Sequence, residues 1–327
     1  MIRTKKVNCN LCKSADSAVL FNARDRLHGI GDMFTYAQCN ECGLVYMNPQ
    51  VVLEDIKNLY PADYAPHSTT GKGIGFRVIS SQNKIRKIPV IGYFLKKLIN
   101  VKITDKVYRK LDSQSRVLDV GCGSGAFLNG LRADKNCEVF GVDISETAVS
   151  EAKKSYGLDI FKGNITEVPF PDSHFDIITA WWYLEHVPEP DTTIAKISSL
   201  LKHNGYCIIG VPNFNSFCAK RFKDKWYHLD CPRHLCIWTP HAITRLLDKH
   251  GLTVTKIIYD KTPWGLLGSL QYSLYGDNIN PKYRNRLRSS LLLWILLLPF
   301  TMLMSLLKKS DIIVVYAQKT TGEPAVT

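Results

Sequence analysis

Between residues 113 and 262, short apolar runs alternate with stretches whose apolar residues recur three or four positions apart. The runs fall at 117–120, 138–144, 159–162, 175–180, 207–212 and 252–260, and a last one, DIIVVYAQK, at 311–319. Runs this short read as buried strands, and the segments between them read as helices. Strands and helices in strict alternation predict a doubly wound α/β sheet. Helices are expected at 126–133, 145–156 and 194–201, with Ser145 as an N-cap and Gly205 closing the third. A shorter helix is expected at 52–60.

The first run carries the densest signal. In VLDVGCGSG, 117–125, one acid, Asp119, precedes Gly121, Gly123 and Gly125. Strand, glycine turn and helix start in succession bring backbone N–H groups up to a ligand. The second run ends on Asp143, followed by Ile144, and an acid there suits the two hydroxyls of a ribose.

VLDVGCGSG, GVDIS, FDIITAWWYLEHV and LLKHNGYCIIGVPN resemble the successive motifs of class I S-adenosylmethionine-dependent methyltransferases. That resemblance implies a Rossmann-like seven-stranded sheet and S-adenosyl-L-methionine as cofactor. It implies that Asp119, Gly121, Cys122 and Gly123 hold the amino-acid part and Asp143 with Ile144 the ribose side. Asn164 and Ile165 would flank the adenine, and Trp181 would stand at the cofactor end of the fourth strand. Many relatives carry Asp where Asn164 stands.

YLEHV, 183–187, follows that fourth strand and therefore faces the ligand. It resembles the L-E-H-V segment of ubiquinone-type O-methyltransferases and the Tyr-x-Glu-His of sugar C-methyltransferases, where the His is a base. Tyr183, Glu185 and His186 are the catalytic candidates, with His186 as the base. Trp182 stands where some relatives have a further metal-binding Glu, which weakens a metal reading of this turn. Trp182 is instead a candidate substrate contact. So are His228 and His234, in a segment that resembles the family's lead into its last helix. A metal reading of His228, Cys231, His234 and Cys236 competes there with a loop holding incidental cysteines.

The ten cysteines change the picture at the N-terminus. Cys9 and Cys12, and Cys39 and Cys42, form two C-x2-C knuckles bracketing 26 residues. This is the spacing of a structural zinc with four thiolate ligands. MIRTKKVNCNLCKS has no apolar leader segment, so a reducing compartment is expected, where paired cysteines favour metal over disulfides. A zinc ribbon ending in CGLVYMNPQ resembles the N-terminal module of a methyltransferase branch often encoded with polysaccharide biosynthesis enzymes.

The net charge of +13 implies an anionic partner. Residues 71–110 hold eleven Lys or Arg and one acid, and IGYFLKKLINVKI within them has the pattern of a basic amphipathic helix. KYRNRLR at 282–288 leads into 17 apolar residues, 291–307, interrupted by Pro299 and followed by Lys308 and Lys309. Seventeen residues is the lower limit for a membrane span. The resembled fold returns its last strand into the same sheet, so both ends of this insert share one side. A segment lying in one leaflet, or a lid or oligomer surface, satisfies that constraint.

The domain organisation expected is a zinc ribbon at 1–48, a basic helical linker at 49–112 and the methyltransferase domain at 113–320. The hydrophobic insert occupies 263–309 and a tail 321–327. The expected function is methyl transfer to a small-molecule, glycan or lipid-linked acceptor at the cytoplasmic face of a membrane. An RNA methyltransferase and a non-catalytic cofactor-binding scaffold are the alternatives.

Overall fold

The computed structural model describes residues 2–60, 106–276 and 287–320. Seven strands form the main sheet: β6 (Arg116–Val120), β7 (Glu138–Asp143), β8 (Ile160–Lys162), β9 (Phe175–Trp181), β10 (Leu201–Pro212), β12 (Leu252–Tyr259) and β13 (Ile312–Lys319). Their order is β12-β13-β10-β9-β6-β7-β8. β13 runs antiparallel to both neighbours, and the pairs among β10, β9, β6, β7 and β8 are parallel. The parallel strands at the centre are buried on both faces, which is why their sequences are continuous apolar runs rather than alternating ones. The order reverses between β6 and β9, and there the carboxyl ends open a ligand crevice.

Ser145 caps the Glu146–Tyr156 helix as expected, its hydroxyl accepting from the Ala148 N–H at 3.2 Å. Gly205 does not close the third helix. That helix, Pro190–Leu200, ends in extended backbone at Leu201, and β10 begins at once. Its pairing with β9 shifts register between Leu201 and Tyr206. Gly205 sits in this irregularity, where a Cβ would lie 2.9 Å from the Lys202 carbonyl and 3.1 Å from that of Asp176. Close backbone approach, not helix termination, is the reason for the glycine.

The N-terminal part pairs β1 (Thr4–Lys5) with β5 (Gln50–Val51) and builds a second sheet from β2 (Ser17–Ala23), β3 (Phe34–Cys39) and β4 (Val45–Met47). A two-residue strand from the far side of the chain, β11 (Cys236–Ile237), adds to β4. Cys9, Cys39 and Leu44 pack in the same apolar cluster as Leu118, Val211 and Trp238. The ribbon is therefore wedged onto the carboxyl-end side of the main sheet and is continuous with its core.

Between β12 and β13, two helices stand among the described residues, Trp264–Tyr275 and Leu291–Leu306. Tyr259 pairs with Ile313, so the two ends of the insert are neighbours in the sheet. Thr301 and Ser305 turn one face of the second helix inward, their hydroxyls donating to the carbonyls of Lys261 and Tyr259 at 2.7 and 2.9 Å. The basic amphipathic segment at 91–103, most of KYRNRLR and the tail at 321–327 lie outside the described residues.

A buried ion network joins ribbon to sheet. The Arg233 guanidinium donates to both oxygens of Asp25, each at 2.8 Å, and to Asp230 at 2.8 and 3.0 Å. Burial alone would raise the Asp25 carboxyl, but the hydrogen bonds and charge of Arg233 outweigh it and hold Asp25 below its ordinary value. Asp230 is held down by Arg233 in the same way. A carboxylate depressed on folding contributes stability above its unfolded pKa of about 4, and that stability is lost as the pH falls through the folded value. Asp25→Ala should therefore cost roughly 3–5 kcal/mol at pH 7, because it leaves a buried guanidinium half paired. Urea midpoints should show the gap between wild type and variant narrowing below pH 4. A gap that is small at pH 7, or independent of pH, would contradict this.

Candidate functional site

The crevice begins where β6 ends. Gly121, Gly123 and Gly125 all take left-handed φ, at 69°, 55° and 73°. At Gly121 a Cβ would also lie 2.6 Å from the Tyr183 ring, so the loop passes directly beneath Tyr183. The N–H groups of Gly121 and Cys122 donate to the Val142 carbonyl at 2.8 and 3.2 Å, tying the loop to the end of β7. Asp119 accepts the Thr179 hydroxyl at 2.6 Å, which links β6 to β9 beneath the turn. The Cys122 thiol is buried and pushed up, first by that burial and then by the charges of Asp119 and Asp143, so it stays protonated and unreactive.

Asp143 faces this loop. One oxygen accepts from the Gly123 N–H and the other from the Ser145 N–H, both at 2.8 Å. A carboxylate has about four acceptor positions, so capacity remains for a diol. Ile144 follows with 60% of its surface exposed, an apolar platform beside the acid. Asn164 turns the chain after β8, its N–H donating to the Glu167 carboxylate at 3.0 Å, while the Ile165 side chain is buried in the core. The Ala126–Lys135 helix starts at Gly125 and presents its free N–H groups to the loop. Left-handed glycines, a roofing aromatic ring, an acid and an exposed apolar shelf fit a nucleoside bearing an amino-acid tail.

The second half of the site is the turn after β9. β9 ends at Trp181, and the left-handed backbone of Trp182 turns the chain there, which separates the two tryptophans. Trp181 packs into the sheet side, edge-on to Phe127 at 5.8 Å and over Gly210. Trp182 has a left-handed φ of 56° and stacks on His228 at 5.4 Å with a 21° interplanar angle. Its ring stays partly exposed at the mouth. His228 is enclosed by Trp226 and Tyr227 as well, and burial followed by the charge of Arg288 pushes it down to about 3.

Beneath that platform lie Glu185, His186 and His234, with their ligand atoms within 4.8 Å of one another. Glu185 is fully buried, and neither carboxyl oxygen has a hydrogen-bond partner among the described residues. Burial, then the Asp230 charge, pushes it up to about 8. His186 Nδ1 lies 2.9 Å from the Tyr60 hydroxyl and 3.1 Å from the Arg233 carbonyl. His234 Nδ1 lies 2.9 Å from the His228 carbonyl, and its ring meets that of His186 edge-on at 4.6 Å. Burial pushes His186 down to about 3, helped by His234, and His234 down to about 4. At neutral pH the cluster is thus two neutral imidazoles and a carboxylic acid.

Sequence reasoning named all three members but missed what holds them. Tyr60, Arg233, Asp25 and Asp230 come from three separate segments, and no local pattern marks them. PRHL displays Arg233 beside His234, and an arginine next to a candidate site histidine was the one available signal.

Cys9, Cys12, Cys39 and Cys42 converge as the knuckle spacing predicts. The Sγ atoms of Cys9 and Cys42, and of Cys12 and Cys39, are each 3.4 Å apart, and all four thiols are free. Each knuckle is closed by a backbone bond, Lys13 N–H to the Cys9 carbonyl and Gly43 N–H to the Cys39 carbonyl. Four soft donors around one point fit a tetrahedral zinc ion, which these residues would hold with no position left open.

A methyltransferase-domain family model matches residues 93–257, just over half of the chain. The ubiquinone biosynthesis O-methyltransferase of Alkalilimnicola ehrlichii is 34% identical over 184 residues, 48% of this chain and 74% of that protein. The demethylmenaquinone methyltransferase of Symbiobacterium thermophilum is 30% identical over 121 residues, 34% of this chain and 48% of that protein. The chain spans about half the length of most of the curated relatives it matches. A solved S-adenosylmethionine-dependent methyltransferase from Archaeoglobus fulgidus superposes with a TM-score of 0.44 at 18% identity, covering 73% of this chain and 93% of that one. The chain belongs to the methyltransferase-domain family, among the class I S-adenosylmethionine-dependent methyltransferases.

Proposed function

We propose that this methyltransferase acts on an amphipathic small molecule, such as a lipid-linked glycan, at the cytoplasmic face of a membrane. The observation that carries the reading is the Trp182–His228 platform above the Glu185–His186–His234 cluster, at the carboxyl ends of β9 and β10. An aromatic platform takes the apolar or ring part of an acceptor, and the cluster takes its hydroxyl. The relatives named for ubiquinone and demethylmenaquinone methylation support a small-molecule acceptor.

S-adenosylmethionine, when bound, supplies an electrophilic methyl on a sulfonium. The chain's own task is alignment and exclusion of water. In this reading Asp143 and Ile144 hold the nucleoside, with Asn164 and the Ile165 backbone beside the adenine, and the Asp119–Gly123 loop holds the amino-acid tail. Tyr183 closes over Gly121. His186 is neutral, so its ring has a lone pair to offer the acceptor's proton. Its low proton affinity limits it to sharing that proton in the transition state rather than keeping it. Glu185 and His234 border it on the buried side, and the four cysteines hold a structural zinc.

The membrane part of the proposal rests on the Leu291–Leu306 helix. Its buried face carries Leu298 and Thr301, while Leu292, Ile295, Leu296, Leu303 and Leu306 are exposed. Among the described residues no helix is long and apolar enough to cross a membrane. The insert's ends are paired neighbours in the sheet, so the segment cannot leave on the far side. Lying in one leaflet covers the apolar stripe and sets the exposed Lys308 and Lys309 against headgroups. An RNA acceptor would use the same positive charge, but not the leucines beside it.

Two outcomes test this. Asp143→Ala should keep its fold and lose roughly 1.5–3 kcal/mol of S-adenosylmethionine affinity, read by calorimetry. Unchanged affinity would remove Asp143 from the cofactor site. The wild type should float with vesicles rich in anionic lipid at low salt, and a Leu292→Ser, Leu296→Ser, Leu303→Ser variant should not, with cofactor affinity unaltered. A wild type that stays in the aqueous fraction without detergent would overturn the membrane assignment.

A further inference from the structure

Asp311 stands between the insert and β13, and its carboxylate serves neither the glycine loop nor the Glu185–His186–His234 cluster. Its backbone carbonyl accepts the Asn213 N–H at 2.8 Å, which fixes it beside the end of β10. The Trp226 indole N–H donates to Oδ1 at 3.0 Å. Burial pushes the carboxyl up to about 6, against hydrogen bonds from Cys218, Ser216 and Trp226 that favour the charged form. At neutral pH it is therefore mostly ionised.

Oδ2 lies against Gly265, the second residue of the Trp264–Tyr275 helix. A Cβ there would overlap that oxygen and would lie 2.7 and 2.8 Å from Cδ2 and Nε2 of His228. Glycine inside a helix is less stable than alanine. Here its bare Cα lets an acid and one edge of an imidazole border the same atom-sized space. His228 is only 6% exposed and stacks on Trp182. Neither of its ring nitrogens has a hydrogen-bond partner among the described residues. Buried polar atoms seldom stay unpaired. The ring is neutral at pH 7, so one nitrogen carries a proton and the other a lone pair. A carboxylate only accepts. An ionised acid facing Nε2 therefore draws the proton to Nε2 and leaves the lone pair on Nδ1, at the opposite edge of the ring.

We propose that Asp311 is a positioning residue for His228, taking its Nε2–H and so fixing Nδ1 as a hydrogen-bond acceptor beside the Trp182 stack. A small rotation of either side chain closes the contact. The lone pair on Nδ1 then selects a methyl acceptor whose ring carries a hydroxyl. A bare or capped ring would leave that buried nitrogen unpaired, and a site built to bond a hydroxyl rejects analogues that lack it. The selection rests on the reading of Trp182 and His228 as the acceptor platform; the orientation of His228 by Asp311 does not.

The test is nuclear magnetic resonance of the full chain with isotope-labelled histidine ring nitrogens. The signals lost in His228→Gln assign His228. At neutral pH the wild type should show this ring protonated on Nε2 and bare on Nδ1. In Asp311→Asn, an isosteric change, the Trp226 indole holds the amide oxygen where Oδ1 stood. The amide nitrogen then faces Nε2 as a donor, and the His228 proton should move to Nδ1. A wild-type ring protonated on Nδ1, or the same tautomer in wild type and Asp311→Asn, would overturn the proposal. The wild-type spectrum decides by itself if the variant fails to fold. Added phenol should shift the bare Nδ1 signal of wild type, while anisole, the same ring with its hydroxyl capped, should not. Equal responses to the two, or none to either, would overturn the selection of a hydroxylated ring. Methyl transfer is no part of the readout, so failure of the acceptor reading would not be mistaken for failure of the Asp311–His228 pair.

Discussion

The Arg233 guanidinium, bonded to Asp25 and Asp230 at once, is the contact on which the arrangement around the turn after β9 depends. Asp25 lies in the ribbon, Asp230 in the loop after β10, and the Arg233 carbonyl meets His186 after β9. This one buried residue therefore ties the ribbon to the loop after β10 through its side chain, and the turn after β9 to both through its carbonyl. Its desolvation is offset only with both carboxylates in place, so the arrangement is held in one register. The ribbon's four-cysteine cluster and the β4–β11 pairing brace the same region from the other side.

The glycine loop after β6 needs no such long-range brace, and that is why its conformation was legible in the sequence. Left-handed φ at Gly121, Gly123 and Gly125 is a local demand that glycine answers locally. Asp143 stands at the end of its own strand and bonds to that loop, so strand order and loop chemistry together specify the half-site. The cluster after β9 was legible as residue types, Trp182, Glu185, His186, His228 and His234, but not as a geometry. Asp25 and Arg233 are 208 positions apart, and a contact at that separation leaves no periodic trace. The early start of β10 at Leu201 was hidden for a related reason. Gly205 has the character of a helix stop, and the neighbouring carbonyl of Asp176 that demands it comes from another strand.

The insert between β12 and β13 shows how topology limits what an apolar segment can do. At 17 residues the run was ambiguous in the sequence between a span and a surface element. The pairing of Tyr259 with Ile313 returns the chain to its starting point, and the hydroxyls of Thr301 and Ser305 anchor one face to the sheet. The remaining face is leucine-rich and exposed. The Trp264–Tyr275 helix packs beside the Trp182–His228 stack, with Ser269 accepting from the Tyr227 N–H at 2.9 Å beside His228.

The central claim is that methyl groups pass from S-adenosylmethionine to an amphipathic small molecule. Transfer of a labelled methyl by the full chain into a membrane-containing extract, separated into lipid, glycan and RNA fractions, tests it most directly. The account predicts label in solvent-extractable, lipid-linked material. Label in RNA alone, or no label from a chain that binds the cofactor, would contradict it.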